Sequence, residues 1–157
     1  MERAAFQDQI TDNFCFGCGP TNQQGLRIKS YWDGPNESIC TYQPESHQNA
    51  GSKQFLNGGI IATLIDCHCI CTAIAYAYRD EGREIGSSPA IWYVTGSLTV
   101  KYLRPTPIKV PVELRARFVK AGEKKTVLSC TLSSNGQECA KGELVAIRVP
   151  LSWLEAN

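Results

Sequence analysis

The sequence predicts an α+β domain in which an antiparallel sheet curls around one central helix. Three observations lead there. From Asn57 to Tyr78 the chain is almost wholly apolar, with no proline and no glycine beyond Gly59. Strand-like runs precede it and alternating runs follow it. The joints between the later runs are short and carry hairpin chemistry, so neighbouring strands fold back on one another without βαβ crossovers.

Residues 1–12 read as a polar lead-in. Phe14–Asn22, with its glycines and Pro20, reads as a tight loop wrapping the body. Strands are expected at Leu26–Trp32 and Ser38–Gln43, with Asp33–Asn36 as the turn between them. The helix is expected over Gly58–Arg79, with Asn57 as N-cap and Asp80-Glu81-Gly82 as the stop. Its apolar residues surround the whole axis, which marks a helix enclosed on nearly every side. Small residues (Gly59, Ala62, Ala73, Ala77) would let a sheet come close.

After the loop 83–89 everything reads as strand. Ala90–Leu103 is long and rich in Val, Thr, Tyr and Trp. Pro111–Lys120 places Val112, Leu114, Ala116 and Phe118 on one face against Glu113, Arg115 and Arg117 on the other. Thr126–Ser133 points Leu128, Cys130 and Leu132 inward, and Glu138–Val149 closes the set. Asn135-Gly136 is a hairpin signal. No repeat or linker divides the chain, so 1–157 is read as one domain, with 1–25 as an N-terminal lead-in.

Sixteen Lys and Arg against fifteen Asp and Glu leave a formal charge of +1, without a basic stripe or acidic block. Nucleic acid and membrane are therefore not expected as partners. The N-terminus lacks the basic-then-apolar order of a secretory signal. The eight cysteines lie mostly within apolar segments and read as reduced core thiols of a cytoplasmic protein.

Asp66 is the one charged group inside the apolar helix. A carboxylate there loses solvation, which is costly and raises its proton affinity. That suits a general base or a poised nucleophile, but also a structural network. His68 is no partner for it within one chain, because two residues turn the side chain through about 200°. His68 reads as a core or interface histidine.

The stretch Asn57-Gly58-Gly59-Ile-Ile-Ala-Thr-Leu-Ile-Asp66 resembles the start of the central helix in hotdog-fold acyl-CoA thioesterases of the phenylacetate-pathway (PaaI-like) type. Their usual text is His-Gly-Gly followed by an apolar helix with Asp or Glu where Asp66 stands. Tyr102-Leu-Arg-Pro105 and the lead-in Cys15–Leu26 are similar as well, so the resemblance spans about residues 14–150. It implies a hotdog fold and a homodimer, which in some members builds up to a tetramer. It also implies hydrolysis of an acyl-CoA, with no cofactor beyond the coenzyme A of the substrate. Asp66 matches the catalytic acid and Gly58 the glycine whose N–H points at the thioester oxygen. Thr95 matches a hydroxyl residue that assists from the partner subunit, or is an ordinary strand threonine. Helix N-termini favour oxyanions independently of any family.

Asn57 stands where the family has His, and it can cap a helix or orient water but cannot carry a proton. Gly59 is a second possible amide donor. His47 and Asn49, in the loop before the helix, are candidates for the site mouth. Arg104, with Lys101 and Arg79, is a candidate for coenzyme A phosphates, against a solvated surface role. Trp92, Tyr93 and Tyr76 are candidates for an acyl pocket.

Two other readings stay open. One is a non-catalytic acyl-CoA binder, suggested by Asn57. The other is a zinc- or thiol-based interaction module built on Cys15, Cys18 and the Cys67–Cys71 stretch. Cys15-x-x-Cys18 is half of a zinc site, and no second Cys-x-x-Cys follows. Cys40 and His47 would complete it only if folding brought them in. The expected site contains no metal. A hotdog dehydratase is disfavoured, because its Asp…His pair is missing.

Overall fold

A computed structural model describes residues 3–155. Its elements run β1 (Ser30–Trp32), β2 (Glu37–Tyr42), α1 (Gly58–Asp80), β3 (Trp92–Tyr102), β4 (Val112–Ala121), β5 (Lys125–Ser134) and β6 (Gln137–Val149), with three short 3₁₀ turns. The strands form one six-stranded sheet in the order β1-β2-β4-β5-β6-β3. Every pairing is antiparallel. The sheet wraps α1, which packs on β3, β4, β5 and β6.

Alternation in the strands decides what faces the helix. Val112, Leu114 and Ala116 of β4, and Leu128, Cys130 and Leu132 of β5, are buried, while Glu113, Arg115 and Arg117 of β4 and Ser129 and Thr131 of β5 take the other face. They meet Leu64, Ile65 and Ile74 of α1. Every residue from Cys67 to Ala75 is buried, so the helix is enclosed around its whole circumference. By length and composition α1 could cross a membrane, but here it is the core helix of the sheet. Of the small residues expected to admit the sheet, Ala73 and Ala77 are buried, whereas Gly59 is exposed. The sheet contributes Gly142, where a Cβ would lie 2.6 Å from Ile65 Cγ2. Asn135 and Gly136 both adopt positive φ, the primed turn that matches strand twist.

Two expectations need correction. β1 begins at Ser30 and not at Leu26, because Leu26 and Ile28 donate their N–H groups to Phe16 and Gly17 of the lead-in instead of to a strand. The lead-in is also less polar than it reads. Ala5, Phe6 and Gln7 are buried, Phe6 packs on Trp32, and Gln7 donates to Ser30 Oγ.

His68 lies wholly inside the core. Its ring nitrogens bond the hydroxyls of Ser30 (2.8 Å) and Ser38 (3.2 Å). Burial lowers its pKa to about 4, so it stays neutral. The unfolded chain takes up a proton near pH 6.5 that the folded chain refuses until about 4. Stability should therefore fall as pH drops through that window, by about 3 kcal/mol at its lower end. Urea denaturation across it should show a much shallower pH dependence for His68→Asn than for wild type.

Candidate active site

The start of α1 is built by its cap. Asn57 has extended backbone, and its Oδ1 accepts from the N–H groups of Gly59 (2.8 Å) and Ile60 (3.2 Å). The Asn57 N–H is itself held by the Gln48 carbonyl. Two orphan donors of the first turn are thereby satisfied. The Gly58 N–H has no acceptor among the described residues. Gly59 was a second candidate for the same role, but the cap consumes its amide. The Tyr102 hydroxyl donates to the Gly58 carbonyl at 2.6 Å, and its ring packs against the Gly58 Cα. That contact was not anticipated.

Asp66 is half-buried on the side of α1 facing β3. Thr95 Oγ1 donates to its Oδ1 at 2.5 Å. No cation pairs with it among the described residues. Burial raises its pKa, and the Thr95 hydrogen bond, which favours the charged form, opposes part of that rise. Thr95 reaches Asp66 because of a bulge. The β3–β6 register shifts between Thr95 and Ser97. Gly96 occupies the irregularity, where a Cβ would lie 2.8 Å from the Ile147 side chain. Before it Tyr93 and Thr95 face the helix; after it Leu98 and Val100 do. The resemblance placed Thr95 on a partner subunit, but its contact with Asp66 lies within one chain.

Gly58 and Asp66 do not address one atom together. They stand eight residues apart on a continuous helix, or about 12 Å along its axis. The first-turn amide and the carboxylate of a single chain belong to different places.

Two openings flank the helix start. His47, Asn49, Asn57 and Ile60 line one of about 540 Å³, whose other wall is Phe16 and Gln23–Arg27. Gly58, Ile61, Tyr102 and Arg104 line the other, of about 360 Å³. His47 sits 3.4 Å from Glu45, Asn49 donates to the Ala50 carbonyl, and Arg104 donates to Gln137. Arg79 is engaged elsewhere, with its guanidinium 3.8 Å from the centre of the Trp32 ring. Tyr76 and Tyr93 line a cleft at the far end of α1 with Arg148.

All eight cysteines are free thiols. Cys40 and His47 do not join the Cys15–Cys18 pair. Cys40 is buried in β2, with its thiol pushed up to about 12 by desolvation. The sulfurs that do gather are those of Cys15, Cys18 and Cys67. The sequence left open a module built on both cysteine groups, but pointed to Cys40 and His47 to complete a zinc site with Cys15 and Cys18.

The family model described as "Thioesterase superfamily" matches residues 53–141. The chain belongs to this superfamily. A thioesterase superfamily protein from Shewanella loihica PV-4 is 35% identical, with 78% of this chain and 91% of that one covered and a TM-score of 0.63. The Escherichia coli PaaI protein of the phenylacetic acid degradation operon shares the fold at 15% identity, with coverage of 80% and 81% and a TM-score of 0.64. So does a Streptococcus mutans UA159 protein bound to acetyl-CoA, at 20% identity, coverage of 78% and 88%, and a TM-score of 0.60. None of the curated proteins compared matches the chain. The sheet wrapped around α1 is thus the hotdog fold.

Asn57→Ala should cost about 1 kcal/mol in urea denaturation. Asn57→Asp, which keeps the cap and adds favourable charge at the helix start, should restore that loss.

Proposed function

We propose that this protein hydrolyses an acyl-CoA thioester to the free acid and coenzyme A. The observation that carries the reading is Asp66: a half-buried carboxylate with raised pKa, no cationic partner among the described residues and a threonine hydroxyl fixing one oxygen. A structural carboxylate in this position would be expected to hold an arginine or a row of amides. Membership of the thioesterase superfamily, and the acetyl-CoA held by a protein of the same fold, support the same chemistry.

Asp66 takes a proton from water, and that water adds to the thioester carbonyl. The carbonyl oxygen gains negative charge, which an unpaired amide at a helix start stabilises. The C–S bond then breaks, and the thiol leaves with the proton that Asp66 had accepted. The same carboxylate can instead add directly and expel the coenzyme A thiolate, giving a mixed anhydride that water opens to the free acid and Asp66.

The 12 Å between Gly58 and Asp66 gives this site its architecture. The Gly58 amide that meets the oxyanion comes from a second copy of the chain, whose α1 faces Asp66 and Thr95 of the first. β3 supports the pairing. It is an edge strand with one side unpaired, running from Trp92 to Tyr102, and long unpaired edges seek a partner. The working unit is therefore a homodimer. Asn57, His47, Asn49 and Arg104 border the openings through which coenzyme A would enter.

Asp66→Asn should lower kcat on acyl-CoA substrates about 10²–10⁴-fold while coenzyme A compounds still bind. No turnover by wild type on short, long, branched or aromatic acyl-CoAs would leave a silent binder. Full activity in the variant would remove Asp66 from the chemistry.

The carboxylate must be ionised to act, so kcat/KM should rise with pH through an ionisation above the ordinary carboxylate range. Thr95→Val removes a bond that favours the charged form and should move that limb to still higher pH.

A further inference from the structure

Cys15 and Cys18 lie on a tight turn in the lead-in, while Cys67 and Cys71 lie one helical turn apart on α1. The turn is closed by Gly19, whose N–H meets the Cys15 carbonyl at 2.8 Å. It presses so closely on the helix that a Cβ on Gly17 would sit 2.2 Å from Cys67 Sγ. The sulfurs of Cys15, Cys18 and Cys67 all fall within 4.8 Å of one another. Cys15 and Cys67 are 3.7 Å apart, and Cys71, one helical turn beyond Cys67, is the neighbouring fourth thiol just outside that group.

We propose that Cys15, Cys18, Cys67 and Cys71 form a tetrathiolate site for a single zinc ion, which fastens the N-terminal segment to the central helix beside Asp66. A tetrahedral zinc with Zn–S bonds of about 2.3 Å sets its sulfurs about 3.8 Å apart. The Cys15–Cys67 separation already has that value, and it is far too long for a disulfide. An iron–sulfur cluster places several irons and sulfides between its thiolates and needs them farther apart. Four soft thiolates with no oxygen or imidazole among them select zinc over the harder divalent ions. The Asn13 amide donates to Cys18 Sγ at 3.3 Å, as an outer-shell group does to a metal-bound thiolate.

Such a site is closed, with no position left for water, so its work is structural. Phe16 and Gln23–Arg27, which continue from the anchored turn, form one wall of the opening beside Asn57. Fixing the turn fixes that wall.

The test is elemental analysis of protein purified without chelator, with cobalt substitution as a second measurement. About one zinc per chain is expected. Cobalt-loaded protein should show thiolate-to-metal charge transfer and tetrahedral ligand-field bands. Cys15→Ser should lose the zinc and the spectrum, while Cys139→Ser, whose thiol lies outside the cluster, should keep both. If Cys15→Ser does not fold, the stoichiometry and cobalt spectrum of wild type decide alone. Sub-stoichiometric zinc after reconstitution under reducing conditions, a Cys15–Cys67 disulfide, iron in place of zinc, or unchanged zinc in Cys15→Ser would each overturn the assignment. These readouts do not depend on thioesterase activity.

Discussion

A helix that is apolar around its entire circumference has to be enclosed, and that requirement organises the molecule. No single layer can cover it, so the sheet must curl, and the small Gly142 lets β6 press against Ile65. The helix's polar exceptions must then each find a particular outlet. His68 is turned into the core, where burial keeps it neutral and Ser30 and Ser38 satisfy its ring nitrogens. Asp66 is turned the other way, towards the edge strand, where Thr95 is its hydrogen-bond donor. One helix thus carries a sealed polar group on one face and a poised one on another.

The bulge at Gly96 links the sheet to the proposed chemistry. Without the extra residue, the alternation that buries Leu98 and Val100 would turn Thr95 away from α1. With it, β3 offers a hydroxyl to Asp66 first and apolar side chains to the helix later. The same strand ends at Tyr102, which braces the helix start through the Gly58 carbonyl. Both proposed catalytic groups are therefore positioned by one edge strand. An interface along that edge would align them with their counterparts on a second copy.

Much of this was legible in the sequence. The enclosed helix followed from its lack of a polar stripe, and the faces of β4 and β5 from strict alternation at Val112–Ala116 and Leu128–Leu132. The Asn135-Gly136 turn announced itself. What stayed hidden depended on contacts between distant segments. Leu26 looked like strand because its apolar neighbours alternate, yet its amide bonds the lead-in. Phe6 looked like part of a polar tail but packs on Trp32. Gly59 looked like a free donor until Asn57 took its N–H. Cys67 looked like core filling because nothing local brings it to Cys15 and Cys18. Helical rise, in contrast, was available from the start, and it separates Gly58 from Asp66.

That separation is the basis of the proposed site, in which the amide and the carboxylate acting on one thioester come from two chains. Proline at the first helical position removes the Gly58 N–H without breaking the helix, and the extended Asn57 backbone accepts a following proline. The direct measurement mixes Gly58→Pro and Asp66→Asn subunits, each inactive alone, under conditions that exchange them. A mixed dimer then holds one site with both groups native, and random exchange should restore about a quarter of wild-type hydrolysis. No recovery, with heterodimers shown to have formed, would contradict the shared site and place both groups' work within a single chain.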